Sequence, residues 1–309
     1  MEFQTRDGLI LQAIYENDGV LSKRHIKEMY WNDKSSRAME CRLSKLYHND
    51  YISWPDREHQ RSHPIPEPVC WLSWRGALFI AGSCNVKVNP PKRINENQLR
   101  LLQRRLQEQG IRWVREPRWS ILKHDIAVTD FKLEVEKSVG QIPSLVLGKW
   151  LTESEFRCNT DVVNFKMKSQ DGRNITMKRG VCPDAYFEIV DENLRMTGKP
   201  HRARFLLEMD MVTHCNPSFG RYKVLPGVAY IKSSAYKTRF GNNHGVWLVI
   251  TTGGKRRLSN LMQQTTEKVG ENAQFFFFTS FSNINNCNIL TSPIWKHVRE
   301  NNPISLIQT

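Results

Sequence analysis

Paired cysteine is what this sequence most obviously lacks. Its seven cysteines stand at 41, 70, 84, 158, 182, 215 and 287 with no C-x-x-C pair. That spacing excludes a zinc ribbon and argues against a disulfide framework. Reduced, mostly buried thiols in a cytoplasmic protein are expected. His214-Cys215 has no neighbours to complete four ligands and reads as a turn without metal. No apolar run is long enough to span a bilayer, even around Phe275 to Phe278. The opening MEFQTRDG lacks the basic-then-apolar character of a secretion signal. Gly253-Gly254-Lys255 lacks the spacing and the Ser/Thr of a phosphate-binding P-loop. Acidic residues are scarce beside basic ones, 31 against 45, which leaves a net charge of +14. A protein that basic is expected to meet a polyanion, most often nucleic acid.

Residues 1–84 alternate helical and strand signals. Asp7 to Tyr15 has apolar residues at helical spacing with Asp7 as N-cap. Ser22 caps a second helix to Tyr30. SSRAMECRLSKLYHN forms a third, burying Met39, Leu43 and Leu46. Tyr51 to Trp54 and Val69 to Ser73 read as strands on either side of a polar segment, Pro55 to Pro68, and Trp74 to Ala81 reads as a closing helix. Three helices and then two strands is the order of a winged helix-turn-helix. The passage RLSKLYHNDYISW…CWLSWRGA is similar to the end of such domains. That resemblance implies duplex DNA as ligand, with Arg37, Arg42 and Lys45 facing the groove and Arg57, His59, Arg61 and His63 reaching phosphates from the wing. The competing reading is a small helical domain used to form a homodimer, with its charges merely solvated.

Residues 85–120 read as a connection: the stiff stretch Asn89 to Arg93, a helix Asn95 to Gln109 closed by Gly110, and a Trp- and Arg-rich run, Ile111 to Trp119. Those tryptophans suit either a core or stacking on bases. From 121 to 309 a second domain is expected. It begins with a helix, Leu122 to Val139. Lys149 to Arg157 reads as its first strand, and short strands flank the turn Asp171-Gly172. Much of Ser218 to Tyr236 reads as helix, interrupted near Pro226-Gly227. Val246 to Thr251 is apolar enough for a strand buried on both faces. A helix, Arg256 to Val269, and a strand, Phe275 to Phe278, follow.

The chemistry concentrates between Arg179 and Val212. Pro183-Asp184 opens one strand, and Arg204 to Met211 forms the next. Alternation places Glu208 and Asp210 on one face of that strand. Two carboxylates there are costly unless something positive lies between them. With Asp184 they make three hard oxygen donors, a set suited to Mg²⁺ or Mn²⁺ and to phosphodiester chemistry. An exposed acidic strand face is the alternative. The pattern resembles the restriction-endonuclease-like fold, PD…(D/E)xK, with Asp210 where that family has Lys. The resemblance implies a mixed α/β (α+β) domain with a mixed sheet flanked by helices, and a magnesium-dependent endodeoxyribonuclease. Metal ligands would be Asp184, Glu208, Asp210 and an outer Glu134, with Asp130 as the alternative. Glu134 can equally pair with Lys137. Lys223 has three readings: stand-in for the missing Lys, phosphate ligand, or nothing specific.

His124 to Val128 on a helix, then Pro183-Asp184-Ala185, then Phe205 to Asp210, then Lys223 and Tyr230, together resemble the replication-relaxation family of plasmids and mobile elements. The resemblance covers most of the chain. It implies DNA as ligand and a role in replication or mobilisation, alongside other replication proteins, with no membrane. It leaves open a nuclease or nickase and a catalytically inactive DNA-binding protein. A Tyr-nucleophile relaxase is disfavoured by the lack of a His-x-His cluster.

Overall fold

The computed structural model describes residues 2–32, 35–62, 65–169, 171–213, 216–242, 244–285 and 287–307. His63 and the His214-Cys215 pair lie outside them. No described helix is long and apolar enough to cross a membrane. The chain divides into two units, Met1–Asp130 and Phe131–Thr309.

In the first unit, helix Thr5–Glu16 leads to strand β1 (Val20–Ser22) and helices Lys23–Tyr30 and Ser36–His48. Strand β2 (Ile52–Ser53), a short helix Arg57–Ser62, strand β3 (Val69–Leu72) and helix Trp74–Ser83 follow. β3 lies between β1 and β2, antiparallel to both. Three residues are too few to show a period, so β1 is invisible in the sequence and exists through its pairing with β3. Ser22 caps its helix as expected, accepting from the His25 N–H at 3.1 Å. Asp7 is not an N-cap: it sits inside the first turn and accepts from the Gln4 N–H at 2.7 Å. Gly76 is required where it stands, because a Cβ there would lie 2.1 Å from the Tyr51 carbonyl oxygen.

The 85–120 stretch is more than a connection. Helix Glu96–Glu108 sends Leu102 and Leu106 into the same core as Ile10, Leu43 and Leu72, and Ile111 and Trp113 join them. The Trp113 indole N–H donates to the Leu72 carbonyl at 2.9 Å. This tryptophan is therefore core and not a stacking platform.

In the second unit, β4 (Leu145–Thr152) precedes a hairpin of β5 (Asp161–Lys168) and β6 (Asn174–Val181). Then come β7 (Ala185–Asp191), β8 (Arg202–Asp210), β9 (Val246–Thr251), β10 (Phe276–Ser280) and β11 (Lys296–His297). The main sheet runs β11-β10-β9-β8-β7-β4. β8, β9 and β10 are parallel and the other pairings antiparallel, so the sheet is mixed. The expected strand Lys149 to Arg157 ends at Thr152. There the Thr152 N–H donates to Glu155 at 2.8 Å and starts helix Glu153–Cys158.

Helices flank this sheet. On one face Phe187 and Phe205 stack on each other, and Phe187 meets Phe131 of the Leu122–Gly140 helix. On the other, Tyr186, Leu206, Trp247 and Val249 pack with Val228 of helix Leu225–Ile231 and Leu258 and Leu261 of helix Lys255–Val269. Alternation assigns Asp184, Glu208 and Asp210 to this second face.

Two expected DNA contacts in the first unit are occupied internally. Arg42 is turned inward: its Nε donates to Asp7 at 2.6 Å and its Nη2 to the same carboxylate and to the Glu2 carbonyl. Asp7 is fully buried, and its hydrogen bond to Arg42 holds the guanidinium above its ordinary pKa against the burial that lowers it. The wing segment carries a helical turn because Asp56 accepts from the N–H groups of Glu58 and His59, each at 2.9 Å. His59 is held between Asp56 at 2.7 Å and Glu116 at 2.9 Å. Arg37, Lys45, Arg57 and Arg61 remain exposed.

Arg42→Ala leaves a buried carboxylate unpaired and is expected to cost about 3–5 kcal/mol in urea unfolding. Arg37→Ala is expected to change stability by less than about 0.5 kcal/mol. Equal effects would contradict the assigned roles. Burial lowers the His59 pKa, but its two carboxylate partners outweigh that and raise it. The stability His59 supplies is therefore complete below its unfolded value of about 6.5 and is lost as pH rises through the higher folded value. The melting difference between the parent and His59→Gln should shrink from acid towards alkaline pH.

Candidate active site

The site forms where β7 begins and β8 ends. Asp184 precedes β7; its N–H donates to the Leu207 carbonyl at 3.0 Å. Its carboxylate accepts from the Met209 N–H at 2.6 Å. The β7–β8 ladder begins with Ala185 opposite Leu207, so Asp184 and Glu208 adjoin its first pair. Lys223 Nζ donates to Glu208 Oε2 at 2.7 Å. The structure thus places the Lys223 ammonium against Glu208.

Local chain geometry brings it there. Residues Gly220–Val224 form a π-helical turn between the short helix Asn216–Phe219 and helix Leu225–Ile231. The Leu225 N–H reaches back five residues to the Gly220 carbonyl. Pro226 has no N–H to bond the preceding turn, and a widened turn just before it accommodates that loss. The interruption expected at Pro226-Gly227 thus becomes a bulge and not a break.

Burial acts to lower the Lys223 pKa. The charges of Glu208 and Asp184, the hydrogen bond to Glu208 and the charge of Glu153 outweigh it and hold the ammonium above its ordinary value. Glu153 belongs to this group although it falls in the expected strand. It is fixed by Arg157 at 2.6 Å. No sequence signal marked it. Cys182 lies in the same neighbourhood; burial and the Glu153 charge push its thiol up to about 11. It is no thiolate at neutral pH.

Asp210 belongs to a different arrangement. Arg257 grips it with two bonds, Nε to Oδ2 at 2.8 Å and Nη2 to Oδ1 at 2.7 Å. Thr251 Oγ1, opposite it on β9, donates to Oδ2 at 2.7 Å. The expected convergence of Asp184, Glu208 and Asp210 is therefore divided in two. Among the described residues no group of three or more His, Cys, Asp or Glu side chains is placed to hold a metal. Nor does Glu134 join the acids. Its helix covers the opposite face of the sheet, and its carboxylate pairs with Lys137 at 2.7 Å. Asp130 is bound to His25 and Arg24, each at 2.7 Å. Burial would raise the Asp130 pKa, but these two partners hold it below the usual carboxylate range.

Asp184 and Glu208 remain as two hard oxygen donors at this end of the ladder. Magnesium is commonly bound through one or two carboxylates, with water and substrate phosphate completing the shell. The pair fits such an ion. Tyr230 is fully buried with its hydroxyl on Asp161 at 2.6 Å, so it is closed to a substrate as a nucleophile.

Asp210→Asn removes one charge from a buried, bidentate pair and is expected to cost about 3–5 kcal/mol in denaturant unfolding. Glu208→Gln leaves Lys223 about a third exposed and relieves a crowd of acids, so a change under about 1 kcal/mol is expected. The reverse ranking would overturn the division drawn here.

A family model described as replication-relaxation matches residues 11–238, well over half of the 309 residues. Comparison with curated proteins and with solved structures returned no match.

Proposed function

The chain belongs to the replication-relaxation family, and from that premise we propose a DNA-binding protein of plasmid or mobile-element replication or mobilisation that cleaves a phosphodiester at Asp184, Glu208 and Lys223. The observation that carries the chemistry is the 2.7 Å contact of Lys223 with Glu208 beside Asp184. A cation kept charged next to two carboxylates can bind the scissile phosphate and orient an attacking water. Asp184 and Glu208 would hold Mg²⁺ or Mn²⁺, which supplies Lewis-acid polarisation of a phosphoryl oxygen. The order helix, three antiparallel strands, helices, parallel strand, helix, parallel strand supports a restriction-endonuclease-like reading of the second unit. In it Lys223, from the following helix, replaces the motif Lys whose place Asp210 takes.

The helix–strand–helix–helix–strand–strand order and the β1-β3-β2 sheet support a winged helix in the first unit. Arg37 and Lys45 stand on the exposed side of Ser36–His48, opposite Leu43 and Leu46. With Arg57 and Arg61 they form the duplex contact, without Arg42 and His59.

A second reading, a binding protein without catalysis, is favoured by one observation. The Asp184 carboxylate already serves β8 by accepting the Met209 N–H. Supercoiled plasmid incubated with Mg²⁺ or Mn²⁺ separates the two. The parent is expected to nick it, and Asp184→Ala, Glu208→Ala and Lys223→Met to lose at least about a hundredfold in rate. Equal nicking by parent and variants would sink the assigned site. DNA binding without nicking by the parent would leave the second reading.

A further inference from the structure

The β5–β6 hairpin stands apart from the main sheet. Its inner face packs Val163, Phe165 and Met177 on the helices after β8. The register pairs Asn164 with Lys178, Lys166 with Thr176 and Lys168 with Asn174. All six side chains point away from that core, and Lys166, Lys178 and their polar partners are exposed. No acid occupies this outer face. None of Lys166, Lys168 and Lys178 is ion-paired among the described residues. On each strand of a ladder, alternate side chains repeat about every 6.8 Å, twice the charge spacing of about 3.4 Å along one strand of B-DNA.

The hairpin leads directly to Asp184 through Val181, Cys182 and Pro183. Arg179, paired with Val163, belongs to the opposite, inner face, where it lies 4.7 Å from the centre of the Tyr222 ring. The lysine face is therefore a surface of its own.

We propose that the outer, lysine-bearing face of the β5–β6 hairpin is a second DNA-binding surface that holds a phosphodiester backbone. This rests on DNA being the ligand of the chain. It assigns the contact to a surface separate from the exposed helix of the first unit. Lysines also blunt the open edges of a two-stranded ribbon. That role would affect solubility and leave salt-linked DNA affinity unchanged.

The test is fluorescence anisotropy of the full-length protein with labelled single-stranded and duplex oligonucleotides over a salt series. Lys166→Gln/Lys168→Gln/Lys178→Gln is expected to weaken binding at least about tenfold at low salt and to reduce the log–log salt slope by about 2 to 3. The corresponding triple Lys→Arg variant keeps the charge and is expected to retain both. The form losing more affinity identifies the strand state that the hairpin holds. An unchanged slope in the Gln variant, with the parent binding normally, overturns the hairpin surface alone. A parent that binds neither form overturns the DNA reading as well.

Discussion

A strand buried on both faces cannot carry two carboxylates on one side without a cation for each. β8 carries Glu208 and Asp210 in that position, both nearly inaccessible to water. Their neighbours are arranged around this demand. Asp210 receives Arg257 from the helix that follows β9, with a threonine hydroxyl from β9 itself. Glu208 receives Lys223 from a widened helical turn. The first pairing is bidentate and sealed, so it ties β8 to the helix that follows β9 and crosses over to β10. The second uses a single flexible ammonium that stays partly exposed. One half of a short acidic motif thus becomes a structural joint, while the other remains open to a ligand.

This division leaves each of the two carboxylates on β8 with its own cation. The guanidinium that occupies Asp210 prevents it from crowding Glu208 with a second uncompensated charge. Lys223 contacts Glu208, and the charges of Glu208, Asp184 and Glu153 together hold its ammonium above its ordinary pKa. An excess of acid around one ammonium keeps it charged.

The first unit shows a related economy of charge. Arg42 and His59 look like surface cations in the sequence, yet both are bound to acids of their own unit. Arg37, Lys45, Arg57 and Arg61 keep the exposure that binding requires. Asp56, directly before the Arg57–Ser62 turn, is a capping signal that marks the segment as helical. Asp7 carried only a local capping signal, because its cationic partner lies 35 residues away.

Periodicity and capping in the sequence alone determined most elements: the helices at Ser36–His48 and Glu96–Glu108, strand β9, the hairpin around Asp171-Gly172, and the common face of Glu208 and Asp210. These depend on neighbours within a few residues, whose spacing a chain writes directly. Strand β1, the pairing of Asp210 with Arg257 and the inward turn of Arg42 were decided only by tertiary structure. Each joins groups with no shared local period, or replaces a local preference by a partner from elsewhere in the fold. Sequence spacing shows that a buried carboxylate needs a cation, but only the packed sheet selects which one reaches it.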